Sequence, residues 1–97
     1  MRALRPTIPD VSPVTLYGRP GCHLCEEARS ILDALQPELG LRVEEVNIED
    51  DDDLLKRYQW TIPVVALDGH DVISAPFSSE SLRAVLAAAL EASTDGR

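Results

Sequence analysis

The sequence predicts an α/β domain built on a four-stranded mixed sheet flanked by three helices. Three observations predict it. Short apolar runs bounded by Gly or Pro alternate with stretches of helical periodicity, in the order β-α-β-α-β-β-α. The opening β-α-β unit implies two parallel strands. The last two apolar runs flank Asp68-Gly69, a hairpin sequence, and so must add two antiparallel strands.

Residues 1–13 hold three prolines and no periodicity, and read as a loose leader. The domain is expected over 14–92, with 93–97 as a frayed tail. "VTLYG" (14–18) is a short apolar run suited to a buried strand. A Gly/Pro-marked loop follows. Leu24, Ala28, Ile31 and Leu35 then recur at helical spacing, and Pro37 is expected to limit that helix because it lacks an N–H. "LRVEEVNI" (41–48) reads as the second strand. The acidic run Glu49 to Asp53 reads as a helix start that favours negative charge, with Asp52–Lys56 and Asp53–Arg57 at ion-pair spacing. "PVVALDGHDVIS" is the hairpin. "SSESLRAVLAAALEA" is the last helix, with Ser78 as its N-cap and Phe77 placed to staple onto Leu82.

Composition narrows the function classes. The chain has 97 residues, enough for one modest core, and 44% of them are apolar. A net charge of −8 argues against nucleic-acid binding, which needs a basic surface. No run of about 18 apolar residues is present to span a membrane. The first residues lack an apolar signal-peptide core, so a cytoplasmic location is expected.

The chemistry concentrates in "RPGCHLCEE" (19–27), which contains both cysteines. In a reducing compartment such a pair is catalytic or metal-binding rather than a staple. Cys22 lies where the loop meets the helix, and free N–H groups and the helix dipole there favour a thiolate. Cys25 lies one turn on, on the apolar face with Ala28 and Leu32. The i,i+3 spacing lets the sulfurs meet. The asymmetry assigns attack to Cys22 and resolution of the mixed disulfide to Cys25. His23 is placed to support the thiolate as an imidazolium, or else is a solvated side chain at a helix start. A zinc site needs about four ligands, and His70 lies in a distant turn, so no metal ligands are assigned within one chain. A dimer sharing four cysteines around zinc or an iron–sulfur cluster stays open.

With the Cys-x-x-Cys helix start and "TIPVV" opening a hairpin, the chain resembles the glutaredoxin branch of the thioredoxin superfamily, in a Cys-His-Leu-Cys variant group. The resemblance covers roughly 14 to 92. It implies a thioredoxin-like fold and a cis peptide bond at Pro63, packed against the cysteine pair. It also implies that the residue before that proline, Ile62, offers its backbone to the substrate; Thr61, Ile62 and Pro63 match the signature. Thioredoxins usually carry a buried acid where this chain has Leu16. Tyr17 and Arg19 match the glutaredoxin pattern ahead of the site.

The departures are as informative. Leu24 replaces the aromatic residue common before the second cysteine. Ser74-Ala75-Pro76 stands where a Gly-Gly pair is usual, and Ser78, Ser79 and Glu80 where a Ser/Cys-Asp pair is usual. Of the usual glutathione contacts Arg19, Gln59, the Ile62 backbone and a helix N-terminus survive. Trp60 is the candidate replacement for the aromatic platform. The expectation is a thiol–disulfide oxidoreductase that reduces protein disulfides through Cys22 and Cys25, with no dissociable cofactor. A low-molecular-weight thiol is its co-substrate, or a thioredoxin-reductase-type enzyme its reductant. Its partners are disulfide-containing proteins, and the chain is expected to be a monomer that binds neither nucleic acid nor membrane. The rival readings are a metal- or iron–sulfur-bridged dimeric binding module and a redox-sensing regulator using the same cysteines.

Overall fold

Alternation along the first strand decides which side chains each face of the sheet receives. The structure, a computed structural model, describes residues 12–95. Strand β1 is Ser12–Gly18, with Val14, Leu16 and Gly18 buried and Thr15 and Tyr17 on the opposite face. It starts two residues before the expected Val14, inside the stretch read as leader. Proline is tolerated at the start of a strand, and Pro13 adds a carbonyl that accepts the Asp68 N–H at 3.2 Å. Residues 1–11 lie outside the described residues.

Helix α1, His23–Leu39, runs through Pro37 rather than stopping at it. Pro37 falls in the last turn, where only one helical bond is lost. The end is closed by Gly40 at φ 71°, whose N–H donates to the Gln36 carbonyl at 2.9 Å. The extra turn lets Leu39 reach the core. Strand β2, Leu41–Asn47, is one residue shorter than expected because Ile48 opens a 3-10 turn, Ile48–Asp50. Of the acidic run, Glu49 and Asp50 fall in that turn, and Asp51 to Asp53 form the helix start expected of the whole run. Asp51 accepts N–H bonds from Asp53 (2.8 Å) and Leu54 (3.2 Å) and caps helix α2, Asp52–Tyr58. Neither Asp52–Lys56 nor Asp53–Arg57 forms an ion pair; the Arg57 guanidinium lies 5.6 Å from the centre of the Tyr58 ring instead.

Strands β3, Val64–Leu67, and β4, His70–Ser74, form the hairpin. Asp68 and Gly69 both take positive φ, 54° and 86°, as a two-residue hairpin loop requires. Helix α3 is Ser79–Asp95 and continues past the expected end at Ala92; Gly96 and Arg97 lie outside the described residues. Its start is closed by a reciprocal pair. The Ser81 N–H donates to Ser78 Oγ at 3.0 Å, and the Ser78 N–H donates to Ser81 Oγ at 2.9 Å.

The sheet has the order β2-β1-β3-β4, with β1 parallel to β2 and the other neighbours antiparallel. This is the expected four-stranded mixed sheet with three helices. One core packs Leu32, Leu35, Leu82 and Leu86 of α1 and α3 onto Val14, Leu16, Val65 and Leu67. Burying each Leu contributes about 1.5–3 kcal/mol. A smaller cluster of Ile48, Tyr58 and Val64, backed by Tyr17, Leu54, Leu55 and Ile62, seats α2. No helix among the described residues is long and apolar enough to cross a membrane.

Candidate functional site

Two loops meet at one end of the sheet. The first leaves β1 at Gly18 and turns through Arg19, Pro20 and Gly21. Gly21 takes φ 79°, and the Cys22 N–H donates to the Arg19 carbonyl at 3.3 Å. This turn delivers Cys22 to the N-cap of α1 in extended conformation, φ −90° and ψ 106°. The second loop, residues 59–63, joins α2 to β3. Tyr17 pairs with Val64 across the sheet, so Pro63 enters β3 beside Gly18.

Cys22 and Cys25 form a disulfide, with Cα atoms 5.2 Å apart. The Cys25 N–H donates to Cys22 Sγ at 3.1 Å. The sulfur thus occupies the capping position normally filled by a Ser or Asp oxygen. Cys22 is half-buried; Cys25 is 7% exposed and shares its face with Ala28 and Leu32. This is the asymmetry that the spacing implied.

Gly18 was legible in the sequence only as the end of a strand. The structure gives it a further place. A Cβ on Gly18 would lie 2.8 Å from Cys25 Sγ and 3.1 Å from Cys25 Cβ. Gly18 also lines, with Arg19, Cys25, Glu26, Glu45 and Asn47, a groove of about 280 Å³ between α1 and the end of β2.

His23 does not bond the Cys22 sulfur. Its Nε2 lies 2.9 Å from Glu27 Oε2, and its side chain is 80% exposed. Arg19 is exposed at the rim of the groove. Leu24 and Trp60 are exposed apolar side chains; Trp60, at 86%, is not a packing residue.

The Ile62–Pro63 bond is cis, as the resemblance implied, and Pro63 is buried. The backbone around it is largely committed. The Tyr58 carbonyl accepts the N–H groups of Thr61 (2.9 Å) and Ile62 (3.1 Å), and the Thr61 hydroxyl at 3.3 Å. The Pro63 carbonyl accepts the Ala75 N–H at 3.0 Å. The Ile62 N–H is therefore occupied, and of the backbone expected to meet substrate only its carbonyl takes no donor among the described residues. Gln59 closes α2 by donating to the Leu55 carbonyl at 3.0 Å.

Tyr58 anchors this loop. Its ring stacks on Tyr17 with centroids 4.6 Å apart, and its hydroxyl donates to the Asp71 carboxylate at 3.0 Å. Burial, chiefly, pushes its hydroxyl above the ordinary tyrosine range; the Asp71 carboxylate adds to the shift and Arg57 opposes it. Among the described residues no group of three His, Cys, Asp or Glu side chains is arranged to hold a metal ion.

Residues 13–87 match the family described as Glutaredoxin-like domain (DUF836). Among solved structures, the chain is similar to protein XcR50 from X. campestris, with 37% identity and a TM-score of 0.66 over 77% of this chain and 96% of that one. It is similar to protein Ne2328 from Nitrosomonas europaea, with 26% identity and a TM-score of 0.67 over 84% and 96%. Thioredoxin 1 from Thermosipho africanus TCF52B shares the fold at 12% identity, with a TM-score of 0.64 over 86% and 99%. No match is found among curated proteins. With its Cys22–Cys25 pair at disulfide distance on a four-stranded mixed sheet, the chain belongs to the glutaredoxin-like domain family (DUF836) and has the thioredoxin-like fold.

Proposed function

We propose that the protein is a thiol–disulfide oxidoreductase that reduces protein disulfides by a dithiol route. The observation that carries this reading is the Cys25 N–H bond to Cys22 Sγ, with Cys25 itself buried. In the reduced protein that donor and the helix dipole stabilise a Cys22 thiolate. The thiolate attacks one sulfur of the substrate disulfide. A mixed disulfide forms on Cys22 and the first substrate thiolate leaves. Cys25, deprotonated as it reacts, attacks the Cys22 sulfur. The Cys22–Cys25 disulfide forms and the second substrate thiolate leaves. Two electrons pass to the substrate, and a low-molecular-weight thiol or a reductase of the thioredoxin-reductase type restores the dithiol. The chemistry needs no dissociable cofactor and no second subunit, and it suits the reducing cytoplasm.

Several features favour protein disulfides over mixed disulfides with glutathione. Holding that tripeptide needs free backbone donors. The N–H groups of Ile62, Ala75 and Ser78 are already bonded within the chain, and Pro76 has none. Each missing hydrogen bond costs about 0.5–1.5 kcal/mol of binding. The net charge of −8, with Glu26 in the first turn of α1 and Glu27 directly after it, also disfavours an anionic thiol. A protein substrate instead can rest an apolar side chain on Trp60 and donate a backbone N–H to the Ile62 carbonyl. Cys25→Ser should accumulate covalent adducts with disulfide-containing proteins, and Cys22→Ser should trap none. Equal yields from the two variants would overturn the assigned roles.

A further inference from the structure

We infer that Gly18 is a positioning residue for the resolving step: its missing side chain keeps open the space that the Cys25 sulfur needs to close the disulfide with Cys22. The inference rests on the dithiol reading above. Backbone conformation does not call for glycine here. Gly18 ends β1, and it is not among the positive-φ glycines, which are Gly21, Gly40 and Gly69. Glycine in a strand gives up packing and conformational restriction, and it commonly marks close approach by another group. That group is Cys25, whose Sγ would meet a Gly18 Cβ at 2.8 Å and whose Cβ would meet it at 3.1 Å. Cys25 is 7% exposed and set on a helix, so its backbone has little room to withdraw.

The sign of the effect follows from which state can relax. In the disulfide, the Cys25 sulfur is held by its bond to Cys22. In the dithiol, the Cys25 side chain can rotate to another staggered position. A methyl group on Gly18 therefore disfavours the disulfide more than the dithiol. It also disfavours the attack that forms the disulfide, because Cys25 must reach the same place to break the mixed disulfide on Cys22. The first attack, by Cys22, does not involve that space. Gly18→Ala should thus behave as a partial resolving-cysteine defect with both cysteines present.

The test compares wild type, Gly18→Ala and Cys25→Ser, reduced and mixed with a protein disulfide, with quenched samples resolved by mass spectrometry. Gly18→Ala should accumulate the mixed disulfide on Cys22, as Cys25→Ser does, while its initial attack stays within about threefold of wild type. Its Cys22–Cys25 equilibrium in a thiol redox buffer should move toward the dithiol by on the order of tenfold, the scale of overpacking by one methyl group. Trapping by Cys25→Ser but wild-type resolution and an unshifted equilibrium in Gly18→Ala would overturn the inference. Failure of Cys25→Ser itself to trap would instead overturn the dithiol function, and the redox equilibrium would still decide the Gly18–Cys25 contact. If Gly18→Ala folds poorly, the double variant Gly18→Ala/Cys25→Gly, which removes both Cys25 atoms that a Gly18 Cβ would meet, should melt close to Cys25→Gly alone. Equal loss of stability with and without the Cys25 side chain contradicts the inference.

Discussion

The backbone N–H of Cys25 donates to the sulfur of Cys22 across 3.1 Å, so the first cysteine of the pair caps the helix that carries the second. A capping sulfur is held where positive potential from the helix start is greatest, and a capping group gains strength when it is ionised.

The first prediction concerns that thiol. In the reduced protein Cys22 should titrate below free cysteine, whereas buried Cys25 should remain protonated at neutral pH. Thiolate absorbance followed through a pH titration of Cys25→Ser isolates Cys22, whose donor, the residue 25 N–H, is kept. A midpoint at or above that of free cysteine contradicts the capping account. His23→Asn should move this midpoint little, because the His23 ring is engaged with Glu27.

Trp60 gives the second prediction. It is 86% exposed within the loop that carries Ile62 and Pro63, so it contributes little to folding. Exposed aromatic residues that anchor a partner commonly cost 1 to 2 kcal/mol or more on truncation, which is about tenfold. Trp60→Ala should lower kcat/KM for a protein disulfide by about tenfold and leave the Tm within a degree or so. Unchanged kcat/KM removes Trp60 from substrate binding.

The third prediction uses the buried tyrosine. The Tyr58 hydroxyl is held above the ordinary tyrosine range, mainly by burial and then by Asp71. Its folded value exceeds its unfolded value. The associated stability is therefore fully present below the unfolded value of about 10 and is lost as pH rises through the folded one. Tyr58→Phe removes the bond to Asp71, at a cost of about 0.5–1.5 kcal/mol at neutral pH, but also removes the ionisation. Thermal melts across alkaline pH should show the gap between wild type and Tyr58→Phe narrowing. A gap that is constant or widening contradicts the assignment.

Much of the fold was legible because it rests on local patterns. The Asp68-Gly69 loop, the acidic start of α2 and the Ser78 cap each depend on a few adjacent residues. The extension of α1 through Pro37 was not legible, because a proline in a last turn costs one bond and Gly40 restores the end. The cysteine pair and Ile62-Pro63 were legible as motifs. The committed Ile62 N–H was not, because it depends on how the chain leaves α2. Nor was the Gly18–Cys25 approach, which joins a strand end to a helix across the turn between them and leaves only a glycine as its mark.

The central claim is that both cysteines work together on protein disulfides. The most direct measurement is turnover of wild type and Cys25→Ser, with glutathione as reductant, on a protein disulfide and on a glutathionylated peptide. The committed N–H groups of Ile62, Ala75 and Ser78 predict slow de-glutathionylation by both forms. They also predict that Cys25→Ser loses turnover on the protein disulfide while its adduct accumulates on Cys22. Near-wild-type rates from Cys25→Ser with glutathione would contradict the dithiol account and show that Cys22 alone suffices.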